Sequence, residues 1–138
     1  MPERFDNPQT REKVDLGKLL FYDAILSGEK DVACATCHHP AHAFADGRAL
    51  SLGVGAEGLG PDRRDRSGGR IPVVRRNAPT VINAAFNGLT QGAYLNQAES
   101  PMFWDHRRQG LEAQALEPLR SHNEMRGDAW TEAEVLDS

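Results

Sequence analysis

The chain has 138 residues, 39% of them hydrophobic and 26% charged, with a formal net charge of -4. That balance suits about one globular domain with a modest core. No stretch is apolar enough to span a bilayer, and acidic residues spread along the whole chain give no reason to expect a nucleic-acid partner.

Asn7-Pro8 supplies a cap and a first-turn proline. Val14, Leu19, Leu20 and Phe21 then recur at roughly helical spacing as far as Ser27-Gly28, which predicts a helix packed near the segment that follows. That segment is Cys34-Ala35-Thr36-Cys37-His38, a C-x-x-C-H motif, and it holds both cysteines of the chain. Two thiols three positions apart on one turn reach both vinyl groups of a porphyrin, and the next residue then lies beneath the iron. His38 is the expected axial ligand, and the covalent haem replaces a disulfide as the staple of the fold. A C-x-x-C pair also occurs in redox disulfides and in zinc sites. A redox motif calls for a neighbouring strand-helix-strand pattern, and zinc calls for two further ligands from His39, His42, His106 and His122. Neither context is as well matched as haem c.

From Ala45 to Arg76 the chain carries seven glycines without a period, which predicts a long loop, either ordered on a haem edge or a surface excursion. Arg63, Arg64, Arg66, Arg70, Arg75 and Arg76 make it locally basic, a pattern that suits haem propionates or an acidic electron donor. Beyond it, Val81, Ile82, Ala84, Ala85 and Phe86 suggest a short buried helix. A second helix is expected from Gln109 to Glu117, with Leu111, Ala115 and Leu116 on one face and Pro118 as its stop. Thr131 and Glu134 form a capping-box pattern before Val135 and Leu136, and a helix is expected to start there and be cut off. The opening Met1-Pro2-Glu3-Arg4 lacks the charged, apolar and small-residue order of a signal sequence, which reads as a mature form or an excised piece.

These residues carry a resemblance. Leu16-Gly17-Lys18-Leu19-Leu20-Phe21-Tyr22-Asp23, the haem motif, Phe44-Ala45-Asp46-Gly47-Arg48, Arg76-Asn77-Ala78-Pro79-Thr80, Phe103-Trp104-Asp105, Leu111-Glu112-Ala113-Gln114-Ala115 and Glu124-Met125 follow in that order. Together they resemble the amino-terminal haem domain of the bacterial di-haem cytochrome c peroxidase and MauG superfamily. The resemblance implies a mostly α, class I cytochrome c-like domain over residues 1–138, with a second haem domain absent from this chain. It implies reduction of hydrogen peroxide, or its use for MauG-like oxidation, with electrons from that second haem. It also implies a periplasmic location and a small electron-donor protein such as a cytochrome or cupredoxin.

Carried residue by residue, the resemblance makes Cys34, Cys37 and His38 the haem attachment. Glu124 becomes the group that moves the peroxide proton, a task suited to a carboxylate. Gln114 becomes a distal-pocket amide, and Trp104 an electron relay that also serves as core beside Met102 and Phe103. Asn77 becomes an oxygen ligand to calcium between the domains. Of the loop arginines, Arg75 or Arg76 is the expected propionate partner from its place beside Asn77. Gated members of the superfamily place a histidine opposite the proximal ligand. Here Val54 falls at that place, which leans toward a permanently open iron. The rival reading is an electron-transfer cytochrome whose sixth ligand is Met102, Met125 or His122.

Overall fold

The computed structural model describes residues 7–88, 97–131 and 133–134. Its regular structure is largely helical, in short pieces separated by irregular chain. Helix α1 spans Arg11–Tyr22, α2 spans Cys34–Cys37 and α3 spans Leu111–Arg120, while β1 (Pro101–Met102) and β2 (Arg108–Gln109) pair antiparallel.

Thr10, not Asn7, caps α1. Its extended backbone lets the side-chain oxygen accept from Lys13 N at 3.3 Å, an arrangement worth about 1 kcal/mol. Asn7 lies outside the helix, where it accepts from Lys13 Nζ at 2.8 Å and donates to Glu112 Oε1 at 3.3 Å. The helix also ends sooner than the Ser27-Gly28 break. Asp23 adopts an extended backbone and caps a separate 3-10 turn, Ala24–Leu26, by accepting from Ile25 N at 2.9 Å. As expected, α1 lies against α2, and Phe21 meets Phe44 with ring centroids 6.0 Å apart.

Two other sequence expectations are corrected. The apolar run after Asn77 yields only a 3-10 turn, Ala84–Phe86, in which Ala85 is buried while Val81 and Ile82 face solvent. Helix α3 runs through Pro118 to Arg120, and Gln109 belongs to β2. A proline interrupts the ladder only at the residue four positions earlier, so the helix survives with one bond missing at Gln114 O. Leu111, Ala115 and Leu116 are exposed, and Leu119 is the α3 residue that packs on the core.

The core is small. Val32, Val54 and Met125 are buried together, with Leu26 and Leu119 against them. After Pro118 the helical ladder loosens into a π turn, His122–Arg126, in which Ser121 O receives the N–H groups of Glu124, Met125 and Arg126 at 3.1 to 3.2 Å. At the far end, Glu134 N donates to Thr131 Oγ1 and Thr131 N to Glu134 Oε2, the capping box read from the sequence. Val135 and Leu136 lie outside the described residues.

The glycine-rich stretch is a loop, as expected, but an ordered one. Its limbs pair where Val74 N donates to Ser51 O and Ser51 N to Arg76 O, and again between Glu57 and Arg64. Its interior is held by two charged side chains, each 1% exposed, Asp46 and Arg63. Arg63 donates to Leu52 O at 2.7 Å, Gly58 O at 3.0 Å and Gly53 O. These bonds replace part of the water the guanidinium loses on burial, and burial draws its pKa below the usual arginine value.

Candidate functional site

Helix α2 is one turn long. Thr36 Oγ1 accepts from Ala33 N at 2.9 Å, which starts the turn, and His38 N closes it on Cys34 O at 2.8 Å. Both cysteines are unpaired and half-buried. Burial pushes the Cys37 thiol up to about 11 and the Cys34 thiol in the same direction. The charges of Arg63, Asp46 and Glu124 also act on Cys37.

His38 Nδ1 lies 3.1 Å from Phe44 O and 2.9 Å from Pro79 O. Carbonyl oxygens only accept, so Nδ1 carries a proton, and in the neutral ring the lone pair is then on Nε2. That tautomer is the one an axial ligand requires. Two unpaired thiols on one turn and an imidazole with Nε2 free therefore fit a covalently attached haem.

The remaining site residues are dispersed. Glu124 sits in the π turn, half-buried, and burial raises its carboxyl above the usual glutamate value. Arg107 works against that shift and Glu117 adds to it. With Arg107, Arg108, Glu117, Arg120 and Ser121 it lines an open cavity of about 310 Å³. Two close approaches hold this turn in place. Gly28 N donates to Met125 O at 2.9 Å, and Gly53 lies so near that a Cβ there would sit 1.9 Å from Asn123 O and 2.7 Å from Glu124 O. Gln114 is half-buried on α3, one turn before Pro118.

Trp104 departs from expectation. It is 83% exposed, at the tip between β1 and β2, while Met102 beside it is 3% exposed. The hairpin turn needs left-handed backbone at Phe103 and His106, which sends the indole outward. The Arg107 guanidinium stacks 3.6 Å above the Phe103 ring. Val54 is only 8% exposed and belongs to the core with Val32 and Met125.

Asn77, Arg75 and Arg76 all lie on the surface. Several of the loop arginines pair locally. Arg66 meets Glu57 at 3.0 Å, Arg64 donates to Pro61 O at 2.8 Å, and Arg70 donates to Ser67 O at 2.9 Å. Two features carried no role in the sequence analysis. One is Asp46, and the other is the cluster in which Glu117 receives Arg108 at 2.7 Å and lies 3.5 to 3.6 Å from Arg120 and Arg107. The only local signal for the cluster was the i,i+3 spacing of Glu117 and Arg120.

Residues 11–138 match the family described as di-haem cytochrome c peroxidase. The chain belongs to that family. It is 37% identical to the methylamine utilization protein MauG of Methylophilus methylotrophus over 128 residues, 93% of this chain and 30% of MauG. It is 34% identical to the cytochrome c peroxidase Ccp of Escherichia coli K12 over 125 residues, 91% of this chain and 21% of Ccp. With the cytochrome c551 peroxidase of Pseudomonas aeruginosa it shares 33% identity over 118 residues, 86% of this chain and 26% of that enzyme. The chain thus spans about a third or less of each relative's length. The family implies haem c, and the C-x-x-C-H motif at 34–38 has the residue types that could hold it.

Proposed function

We propose that this chain is the cytochrome c-like, peroxide-reducing haem domain of a periplasmic di-haem peroxidase, with haem attached at Cys34 and Cys37 and ligated by His38. The observation that carries this reading is the His38 tautomer, fixed by Phe44 O and Pro79 O with Nε2 left free. When bound, the haem supplies a redox-active iron at which peroxide is reduced.

The chain's own residues supply the rest. Glu124, with its carboxyl raised by burial, takes a proton from one peroxide oxygen and returns it to the leaving one, the role of a general acid-base group poised toward working pH. Gln114 orients the oxygens by hydrogen bonding. Trp104, outermost on its hairpin, faces the second haem domain and relays electrons that reach that domain from a small cytochrome or cupredoxin. Asn77, exposed at the end of the loop, offers an oxygen to calcium at the same junction. The rival electron-transfer reading needs a side chain to close the iron. Of its candidates, His122 has both ring nitrogens bonded, to Asn123 at 2.9 Å and Asp128 at 2.8 Å, and Met125 is packed in the core with Val32 and Val54.

The deciding experiment is a low-temperature electron paramagnetic resonance spectrum of the ferric full-length protein, with the signal of this haem isolated by comparison with a His38→Ala variant. A high-spin signal is expected. A fully low-spin signal would mean a closed iron and overturn the open-iron reading, in favour of an electron-transfer cytochrome or a gated enzyme.

A further inference from the structure

The two carbonyls that hold His38 come from chain segments far apart in sequence. Phe44 is six residues from His38, and Pro79 is 41 residues away. Three hydrogen bonds join those segments. Asp46 N donates to Ala78 O at 3.2 Å, Ala78 N donates back to Asp46 Oδ2 at 3.1 Å, and Thr80 Oγ1 donates to Ala43 O. Asp46 thus forms a reciprocal pair with the residue just before Pro79, two positions beyond Phe44. Its carboxylate has little freedom to do otherwise, because Oδ1 accepts from Arg48 N at 3.0 Å and Oδ2 also accepts from Ser51 Oγ.

We propose that Asp46 is a positioning residue for the axial imidazole: by tying Ala78 to the 44–46 segment it holds Pro79 O and Phe44 O on His38 Nδ1, and so sets the orientation and basicity of the ring. The inference rests on the reading of His38 as the axial ligand. A carbonyl that accepts from the far nitrogen of a metal-bound imidazole makes the near nitrogen a stronger donor. Withdrawing Pro79 O weakens that donation, which lowers the iron–histidine stretching frequency and raises the reduction potential. A carboxylate that only stabilised the loop would move neither.

The test uses the full-length haem-loaded protein carrying Asp46→Asn, Asp46→Ala and, as a control, Leu119→Ala, which trims a residue packed on the Val32–Val54–Met125 core and leaves the hydrogen bonds of Asp46 in place. The readouts are the iron–histidine stretch of the ferrous form by resonance Raman, the midpoint potential and the melting temperature. Asp46→Ala is expected to lower the frequency and raise the potential. Asp46→Asn, whose amide oxygen still accepts from Ala78 N, is expected to fall between it and the parent, and it remains informative if Asp46→Ala fails to fold. Leu119→Ala is expected to lower the melting temperature alone. An unchanged frequency and potential in a folded Asp46 variant would overturn the proposal. A stretch that survives in His38→Ala would instead overturn the ligand assignment beneath it.

Discussion

Glu124 and Glu117 stand in one cavity with opposite tasks. Glu124 is expected to handle protons, and the Glu124→Gln variant should lower the peroxide turnover rate by about 10²- to 10⁴-fold, the usual contribution of a general acid-base group, with haem content unchanged in the absorption spectrum. A turnover rate equal to the parent's would remove Glu124 from the mechanism. Because burial raises its carboxyl above 4.5, the folded state binds the proton more tightly than the unfolded one. The stability it contributes is complete below about 4.5 and is lost as pH rises through the folded value. The glutamine variant should therefore gain stability relative to the parent as pH increases over that range, read from denaturant midpoints.

Glu117 holds the guanidinium groups of Arg107, Arg108 and Arg120 together. Replacing it with glutamine should destabilise the fold by about 1–3 kcal/mol, since a half-buried cationic cluster loses its counter-charge. The same change should shift the pH response of Glu124 downward, because Glu117 raises that carboxyl and Arg107 lowers it. His122 has the reverse pH signature to a buried base. Hydrogen bonds to Asn123 and Asp128 raise its pKa above 6.5, so what it contributes is complete below 6.5 and fades as pH climbs through the folded value. The gap in melting temperature between the parent and His122→Gln should accordingly close between mildly acidic and alkaline buffer.

Among the elements, the π turn has the least room for change. An alanine at Gly53 would push a Cβ into the carbonyls of Asn123 and Glu124, backbone atoms that cannot swing aside as a side-chain end would. Gly53→Ala is expected to cost about 1–3 kcal/mol and to slow peroxide turnover as well, because Glu124 moves with the turn. Peroxide kinetics together with thermal melts would check both effects. Much at this scale was legible in the sequence. The C-x-x-C-H turn, the loop between Ala45 and Arg76 and the Thr131–Glu134 box all follow from local chemistry that reads directly as residue spacing. The misplaced ends have the opposite origin. Thr10 displaced Asn7 as cap because Asn7 found partners in Lys13 and, through tertiary contact, in Glu112. Pro118 failed to end α3 because only the bond to Gln114 is lost. The outward turn of Trp104 depends on left-handed backbone at two non-glycine residues, Phe103 and His106, which no propensity announces. The order of the glycine-rich loop depends on Asp46 and Arg63, whose burial is a product of the whole fold.

For the molecule as a whole, the described core is slight beside the apolar surface left open. Val14, Leu16, Leu19, Tyr22, Ile25 and Trp104 are all more than half exposed. A covalent haem is the group expected to supply the missing contacts around α2, and because it stays attached to the unfolded chain it would stabilise the fold through the apolar area it buries on folding. The double variant Cys34→Ala, Cys37→Ala should lose much of the cooperative melting transition and bind more of a hydrophobic dye. A sharp transition equal to that of the haem-loaded protein would show that the polypeptide alone carries the fold. Trp104→Phe, by contrast, is expected to leave stability within about 0.5 kcal/mol, as exposed substitutions generally do, while slowing reduction of the peroxide-site haem in stopped-flow measurements.

The long loop is fastened at its base and along its limbs, through Asp46 to Ala78, Ser51 to Val74 and Arg76, and Glu57 to Arg64, while at its far end an added Cβ on Gly68 or Gly69 would meet nothing within 4 Å. Doubling the length of a flexible insert there costs only about 0.6 kcal/mol in closure entropy. Extra residues, or an entire small domain, inserted between those two glycines would thus leave the imidazole clamp untouched. The tip is a ready position for a fluorophore, an affinity tag or a tether to an electrode.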